Sequence, residues 1–162
     1  VTPLAQIAGY GATSDAHHVT EPAPTATSAA KAISAALGDA GLEPSDIDYI
    51  NAHGTSTALN DKLETKAIKL ALGEQEARRI PISSTKSMTG HLLGAGAAME
   101  AAFCILAMKD GVIPPTINLD TPDPDCDLDY TPHEKSPKPL NVTMTNSFGF
   151  GGHNSVLVFR QP

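Results

Sequence analysis

The sequence predicts an α/β domain built on a mixed β-sheet, and three observations carry this prediction. Short apolar runs alternate along the chain with segments whose apolar residues recur at helical spacing. The last two strand-like runs, Val142–Ser147 and Ser155–Phe159, are separated only by the glycine-rich segment Gly149–Gly152, which predicts a hairpin. Together these features give the order β-α-β-α-β-α-β-β, with the last strand antiparallel to its neighbour.

The first strand, loop and helix are predicted from the amino-terminal residues. Thr2–Gly9 holds apolar residues typical of a strand, and the polar stretch Gly11–Pro24 is expected to be a long loop. The next apolar residues recur at the spacing of one helix face: Ala30, Ile33, Leu37 and Ala40. Thr27 or Ser28 could cap this helix, and Gly41 could end it.

A second strand and a second helix follow. Ile47–Ala52 is a short, partly β-branched run that predicts a strand. Asp61 and Glu64 have the spacing of a capping box, which predicts a helix that runs to Leu72. Four apolar residues are expected to face inward and three lysines outward: Leu63, Ala67, Leu70 and Ala71, against Lys62, Lys66 and Lys69.

The remaining segments complete the pattern. Arg79–Ser84 predicts a short strand. Met88–Lys109 is apolar nearly all round, so a helix there is expected to be buried. Residues 112–140 are rich in Pro and Asp and predict a long wrapping loop with little regular structure.

Length and composition bound the function. The 162 residues predict one domain, residues 1–162, and the net charge of −7 without a basic cluster argues against a nucleic-acid partner. No apolar run is long enough to predict a membrane span. Two cysteines cannot form a disulfide framework, which favours a reducing compartment, and no signal peptide is visible. The absence of an initiating Met indicates a piece of a longer protein.

Unusual polar residues stand at the ends of the predicted strands. His53 follows the second strand and Lys86 the third, while His91 lies at the start of the apolar helix. The glycine-rich segment Gly149–Gly152 follows the next strand. Because ligands gather where the carboxyl ends of strands meet helix amino termini, these features are expected to form one site.

The residue types indicate the chemistry. Neutral imidazoles at positions 53 and 91 could each donate an N–H to a carbonyl oxygen that develops negative charge. The positive end of a helix dipole would add to this stabilisation. The Lys86 cation would lower the pKa of the histidines and keep them neutral donors. Gly149, Gly151 and Gly152 would let backbone N–H groups approach the same region.

Other types of site are less well supported. His53, His91 and Asp61 lack the close ligand spacing of a metal site, so no metal is predicted. Cys104 stands in an apolar run typical of a core, and the acidic neighbours of Cys126 would raise the pKa of its thiol. The residues therefore predict an oxyanion-type site without a nucleophile.

Three motifs resemble a known family. Asn51–Thr57 (NAHGTST), Ser84–His91 (STKSMTGH) and Asn146–Gly152 (NSFGFGG) look like the signatures of the carboxyl-terminal half of β-ketoacyl-[acyl carrier protein] synthases. The resemblance covers essentially the whole chain and is strongest to the synthase II group of type II fatty-acid synthesis. It implies half of a thiolase-like fold, with a five-stranded mixed sheet and helices on both faces.

The resemblance also implies partners and a reaction. The nucleophilic Cys would lie in the amino-terminal half of the same synthase, which would pack against this half, and the synthase would be a homodimer. The acidic charge of acyl carrier protein would have to be met mainly by that other half, with Lys62, Lys66 or Arg78 contributing. Substrates would arrive on the phosphopantetheine of the carrier protein, so no further cofactor is expected. The compartment would be the cytoplasm, with a plastid or mitochondrion as the alternatives.

Residue roles follow from the matched motifs. His53 and His91 would bind the malonyl thioester carbonyl and stabilise the enolate left by decarboxylation. Lys86 would control the electrostatics of the pair, supported by Glu100. The backbone N–H of Phe150 would serve an oxyanion hole for acyl transfer, and its ring would gate the acyl pocket beside a mobile loop over residues 13–20. The predicted substrate-binding residues are Thr20, Thr55, Thr57, Gly149 and Gly151.

Three alternatives remain open at this point. The chain could be the corresponding part of a polyketide ketosynthase, which shares these motifs. It could also belong to a non-catalytic partner of the chain-length-factor type, although such subunits often lose the histidines kept here at positions 53 and 91. A free-standing domain that binds acyl carrier protein without chemistry is the third.

Overall fold

The computed structural model describes residues 1–162 and places five of seven strands in one sheet. The strands are β1 (Gln6–Ser14), β2 (Tyr49–Asn51), β3 (Ile82–Ser83), β4 (Val112–Ile113), β5 (Ser136–Pro137), β6 (Val142–Gly149) and β7 (His153–Arg160). The helices are α1 (Thr27–Ala40), α2 (Asn60–Leu72), α3 (Glu74–Arg79), α4 (Lys86–Thr89) and α5 (Gly96–Asp110).

The main sheet is mixed, with the order β1-β7-β6-β2-β3. Strand β2 runs parallel to both β3 and β6, whereas β7 is antiparallel to β6 and to β1. Four of the five strands therefore point the same way and end at the same edge. This arrangement confirms the predicted mixed sheet and the predicted hairpin between its last two strands.

Helices cover the sheet on both sides, as predicted. Ile50 and Val158 belong to a cluster of 20 buried residues formed with α1, α2 and α3. Their neighbours in the strands, Tyr49 and Phe159, belong to a second cluster of 7 buried residues formed with α5. Because successive strand residues point to opposite faces, the two clusters lie on opposite sides of the sheet.

The first strand lies further along the chain than predicted. β1 pairs with β7 from Gln6 to Ser14, so part of the stretch expected to be a loop is strand. Its Gly9 and Gly11 lie directly against the α1 backbone, where a Cβ atom would not fit. Helix α1 ends at Gly41 in the left-handed conformation, as predicted, but Ala26 precedes it without a side-chain cap.

The prediction of one buried helix over Met88–Lys109 is wrong. Gly90 ends α4 with a φ of 71°, and a short 3-10 turn over Leu93–Ala95 separates α4 from α5. Only one side of α5 is buried, and large apolar side chains of this segment remain exposed. Those exposed side chains are Met88, Leu92, Leu93, Met99 and Leu106.

Two other element predictions need correction. The predicted strand over Arg79–Ser84 shortens to β3, because Arg79 ends the unpredicted helix α3. Leu70 was expected to face the core, but it is exposed on α2. No helix of the structure has the length and apolar character needed to cross a membrane.

Residues 114–133, here called the strap, wrap over the carboxyl-end edge of the sheet. The backbone N–H of Thr116 donates to Thr131, and that of His133 donates back to Thr116, which closes the base of the strap. Strands β4 and β5 pair beside it within the predicted wrapping loop. The hydroxyl of Thr116 accepts the N–H of Ser84, directly after β3, so the strap lies where β3 ends.

Candidate active site

The two predicted histidines lie together at the carboxyl-end edge of the sheet. His53 follows β2, and His91 follows the one-turn helix α4. Their ring centroids are 5.6 Å apart, with the rings nearly perpendicular at 85°. Phe148, in β6, brings its ring centroid to 5.8 Å from that of His53. The structure thus brings together the two histidines and Phe148, a member of the third motif to which sequence reasoning gave no role.

Glu64 holds the backbone of the His53 loop. Its carboxylate accepts the N–H of His53 at 2.9 Å and the N–H of Gly54 at 2.8 Å. Side-chain amides of Asn146 and Asn60 donate to it as well, at 3.1 and 3.3 Å. Burial raises the pKa of Glu64, while these hydrogen bonds act in the opposite direction.

The role of Glu64 corrects the capping-box prediction. Helix α2 begins at Asn60, and the residue before it, Leu59, makes no side-chain cap. The Glu64 side chain is buried and accepts backbone N–H groups of the His53 loop, and at its own helix terminus it bonds only to the Asn60 side chain. The spacing of Glu64 from Asp61 predicted a contact within the helix, whereas most of its hydrogen-bond donors come from segments distant in the sequence.

Lys86 joins His53 to a buried carboxylate. Its ammonium group forms an ion pair with Glu100, and both side chains are more than nine-tenths buried. The same Nζ atom lies 3.4 Å from Nδ1 of His53. Burial raises the pKa of Glu100, and the neighbouring Lys86 lowers it.

The contacts of the two rings define which nitrogen carries the proton. The ammonium of Lys86 can only donate, so Nδ1 of His53 is the acceptor and its proton lies on Nε2. The backbone N–H of Leu93 donates to Nδ1 of His91 at 3.1 Å, so a neutral His91 also carries its proton on Nε2. Both neutral rings therefore offer an Nε2–H donor.

The environment keeps His53 neutral. Burial lowers its pKa to about 3, and the positive charge of Lys86 and the proximity of His91 act in the same direction. Sequence reasoning identified the effect of Lys86 but not the larger effect of burial. A neutral His53 can donate a hydrogen bond without carrying charge into the site.

A cavity of about 960 Å³ opens beside His91. Thr55, Thr57, Lys86 and His91 line it, and the strap forms its opposite wall. The hydroxyls of Thr55 and Thr57 lie 2.9 Å apart. Two of the predicted substrate-binding residues therefore share a cavity with His91 and Lys86, while His53 itself does not line it.

The glycine-rich turn forms a separate part of the site. Phe150 is 77% exposed, and the N–H of Gly151 donates to Val19 at 2.6 Å. This contact places the loop expected beside Phe150 against the turn. The residues of this part do not line the cavity of the histidines: Thr20, Gly149, Phe150 and Gly151.

The basic residues expected to help docking are already paired. Lys62 forms ion pairs with Asp125 at 2.9 Å and Asp123 at 3.4 Å, both in the strap. Arg78 pairs with Asp127 and Glu74. Lys66 donates to a backbone carbonyl at Pro24. Lys62 and Arg78 therefore offer no unpaired positive charge to an acidic partner.

Neither cysteine has the environment of a nucleophile. Cys104 is fully buried, and burial raises the pKa of its thiol to about 12. The pKa of Cys126 is raised by burial too. A thiolate is the reactive form of cysteine, so the histidine site contains no activated thiol from this chain.

Solved structures define the class of protein to which this fold belongs. A type II PKS ketosynthase in complex with its acyl-carrier protein superposes with a TM-score of 0.95 at 45% identity, over 98% of this chain and 39% of that one. A β-ketoacyl synthase from Burkholderia phymatum gives a TM-score of 0.91 at 44% identity, over 98% and 38%. The fold is therefore the thiolase-like fold of ketosynthases.

Sequence comparison then gives the family. The model described as "Beta-ketoacyl synthase, C-terminal domain" matches residues 4–120, and the chain belongs to this family. A 3-oxoacyl-[acyl-carrier-protein] synthase 2 of Staphylococcus aureus is 54% identical over 156 residues, which are 96% of this chain and 38% of that protein. The synthase 2 of a Synechocystis strain is 52% identical over 156 residues, with 96% and 37% covered. The chain thus spans little more than a third of the length of these relatives.

Proposed function

We propose that this chain supplies the enolate-stabilising part of a decarboxylating condensing enzyme that elongates acyl groups on acyl carrier protein. The observation that carries the proposal is the pair of rings at His53 and His91, 5.6 Å apart, each with its Nδ1 facing a hydrogen-bond donor and its Nε2 available to donate. Two such donors match one oxygen atom on which negative charge develops. Membership of the β-ketoacyl synthase family supports the same reaction.

The reaction proceeds from a malonyl thioester. Its carbonyl oxygen accepts the Nε2–H groups of His53 and His91, and the bond to the terminal carboxylate then breaks. Carbon dioxide leaves, and the electron pair passes to the α-carbon and the thioester oxygen as an enolate. The α-carbon attacks an acyl thioester held on a cysteine outside this chain, whose thiolate departs as the new carbon–carbon bond forms.

Lys86, supported by Glu100, keeps the ring proton of His53 on Nε2. The Lys86 ammonium occupies Nδ1 of His53, which leaves the ring proton on Nε2. Glu100 balances the buried ammonium charge. Because both Nε2–H donors face the substrate oxygen before the enolate forms, its charge is stabilised by preorganised hydrogen bonds.

The remaining predicted residues bind and position the substrate. Thr55 and Thr57 line the cavity beside His91 and are proposed to hydrogen-bond the phosphopantetheine arm. The exposed Phe150 is proposed to offer its N–H to the acyl thioester oxygen and to gate the acyl pocket with its ring. Thr20, Gly149 and Gly151 complete this second part of the site.

The wider context is proposed from the relatives. Synthase 2 proteins at 52–54% identity favour fatty-acid elongation in the cytoplasm, in a homodimer whose remaining part provides the cysteine. No cofactor beyond the carrier-bound phosphopantetheine is proposed. The alternative is a polyketide ketosynthase, which the structural similarity to a type II PKS ketosynthase favours.

The experiment uses the complete synthase polypeptide that carries this chain. His53→Ala or His91→Ala is expected to lower condensation of a malonyl-carrier substrate by at least about a hundredfold, the scale of losing an oxyanion donor. Acylation of the cysteine is expected to persist in part, because it does not need the enolate donors. Normal condensation by either variant, measured as product formed per enzyme, would show that the proposed function is wrong.

A further inference from the structure

Ser84 stands where three segments of the site meet. It lies between β3 and α4, and it is 8% exposed. Its hydroxyl, its backbone N–H and its backbone carbonyl each contact a different part of the molecule. No other residue of the site joins the His53 loop, the Lys86 turn and the strap at once.

The hydroxyl of Ser84 bonds to the His53 loop. It donates to the backbone carbonyl of Gly54 at 2.6 Å. The two segments are so close that a Cβ atom on Gly54 would lie 2.5 Å from Cβ of Ser84. Gly54 also has a positive φ of 42°, so glycine is needed there for two separate reasons. The close approach fixes the residue directly after His53.

The backbone of Ser84 fixes the turn that carries Lys86. Its carbonyl accepts the hydroxyl of Ser87 at 2.8 Å and the N–H of Ser87 at 3.2 Å. The N–H of Ser84 donates to the hydroxyl of Thr116 in the strap at 3.0 Å. The start of α4 is therefore anchored to the strap wall of the cavity as well as to the sheet.

A second bridge between the same strands cannot replace this contact. Asn51 and Thr85 exchange side-chain hydrogen bonds at 3.2 and 3.3 Å. That pair joins the ends of the strands before the His53 loop leaves the sheet. Among the side-chain contacts that reach across from the Lys86 segment, the Ser84 hydroxyl alone bonds to the backbone after His53.

We propose that Ser84 is a positioning residue, whose hydrogen bond to Gly54 sets the separation between the His53 ring and the Lys86 ammonium. The distance of 3.4 Å from Lys86 Nζ to His53 Nδ1 is long for a hydrogen bond. If it lengthened further, Nδ1 would no longer be held as an acceptor and could take the ring proton, which would leave Nε2 without a proton to donate. The expected loss of catalytic rate rests on the proposed function, whereas the expected change in the protonated nitrogen of His53 does not.

The test is Ser84→Ala in the complete synthase polypeptide. The kcat for malonyl-thioester decarboxylation is expected to fall about tenfold or more with little change in KM, since misplacement of a donor acts on the chemical step. The ring-carbon NMR signal of His53, which reports the protonated nitrogen, is expected to shift towards a mixture of tautomers. Ser34→Ala, the same change at an exposed position of α1, is the control and is expected to alter neither.

A second variant covers the case in which Ser84→Ala fails to fold. Ser84→Cys keeps a weaker donor and is expected to give a kcat between those of the alanine variant and the unsubstituted protein. The proposal is overturned if both variants keep the original kcat and His53 signal, or if kcat falls only in proportion to the folded fraction. An unsubstituted protein without decarboxylation would contradict the proposed function, while the His53 signal would still test Ser84.

Discussion

Two buried carboxylates hold the site by different physical means. Glu100 is compensated by the ammonium of Lys86, so its role depends on a pair of opposite charges. Glu64 has no cation partner and is held by four N–H donors, two from the backbone of the His53 loop and two from asparagines. Hydrogen bonds to a charged group are among the stronger ones, so Glu64 fixes the loop without adding positive charge near the histidines.

The buried neutral His53 makes stability depend on pH. Its pKa is about 3 in the folded protein, against an ordinary value of about 6.5 when unfolded. Between these two values the unfolded chain binds more protons than the folded one, so stability falls as pH drops below about 6.5. The steepest slope from this one group is about 1.4 kcal/mol per pH unit. Thermal unfolding measured across this range is expected to show the loss.

His53→Asn isolates this contribution. The variant removes the titrating ring, so its unfolding midpoint is expected to change less steeply with pH than that of the unsubstituted protein. Acidic residues titrate in both proteins and cancel in the difference. Equal slopes in the two proteins would mean that His53 is not held neutral by its surroundings.

Single site residues could be predicted from the sequence where a titratable side chain stood at the end of a predicted strand or the start of a predicted helix. His53 and Lys86 were identifiable because they followed predicted strand ends, and His91 because it stood at the start of a predicted helix, where ligands gather in such sheets. Glu64 was not identifiable, because its spacing from Asp61 equally fits a local cap. Phe148 was hidden because an aromatic residue in a strand looks like ordinary core.

At the scale of elements, the strap is bound to α2 and α3 by ion pairs at its tip. Lys62 pairs with Asp123 and Asp125, while Asp127 pairs with both Lys69 and Arg78. The pKa of Asp127 is lowered to about 2, mainly by its hydrogen bonds to Lys69 and Arg78. These pairs hold the wall of the cavity opposite the histidines.

Asp127→Asn is expected to loosen the strap tip. It removes the carboxylate shared by two bases, so the unfolding midpoint is expected to fall at low salt. The difference is expected to shrink in about 1 M salt, where the screening length is only about 3 Å. Because the folded pKa of Asp127 is depressed, its contribution is present above about pH 3.8 and is lost as pH falls towards 2.

Glu134→Gln is the matched control for this prediction. It removes one negative charge from an exposed side chain just after the strap that makes no ion pair. Its effect on the unfolding midpoint is expected to be small at both salt concentrations. A fall equal to that of Asp127→Asn would indicate a general effect of net charge rather than the paired strap tip.

Elements with complete local signals were predicted well. Helix α1 has a regular apolar face and a terminal Gly41, and the β6–β7 hairpin has two strand-like runs around a glycine-rich turn. Helix α3 is too short to show a period. The segment Met88–Lys109 misled the prediction because uniform apolarity looks like one buried helix, whereas Gly90 breaks it and the surrounding chain covers only one side.

At the scale of the whole molecule, the two faces of the sheet are unequally covered. The cluster on the α1 side has 20 buried residues, against 7 on the α5 side. Exposed apolar side chains lie along the segment from α4 to α5. Phe150, which directly follows β6 in the chain, is exposed as well. A chain that spans about 38% of its relatives' length can leave such a face for the rest of a longer protein to cover.

Residues 1–162 expressed alone are therefore expected to self-associate through the α5 face. Met99→Gln with Leu106→Gln replaces two exposed apolar side chains of α5 by a polar residue of similar helix propensity, so association should weaken without loss of helix. Leu70→Gln is the control, because Leu70 is more exposed than either of them but lies on α2. Sedimentation velocity distinguishes the outcomes. A monomeric, cooperatively folding unsubstituted chain would contradict the expectation and favour a free-standing carrier-binding domain, since such a domain needs no partner to cover α5.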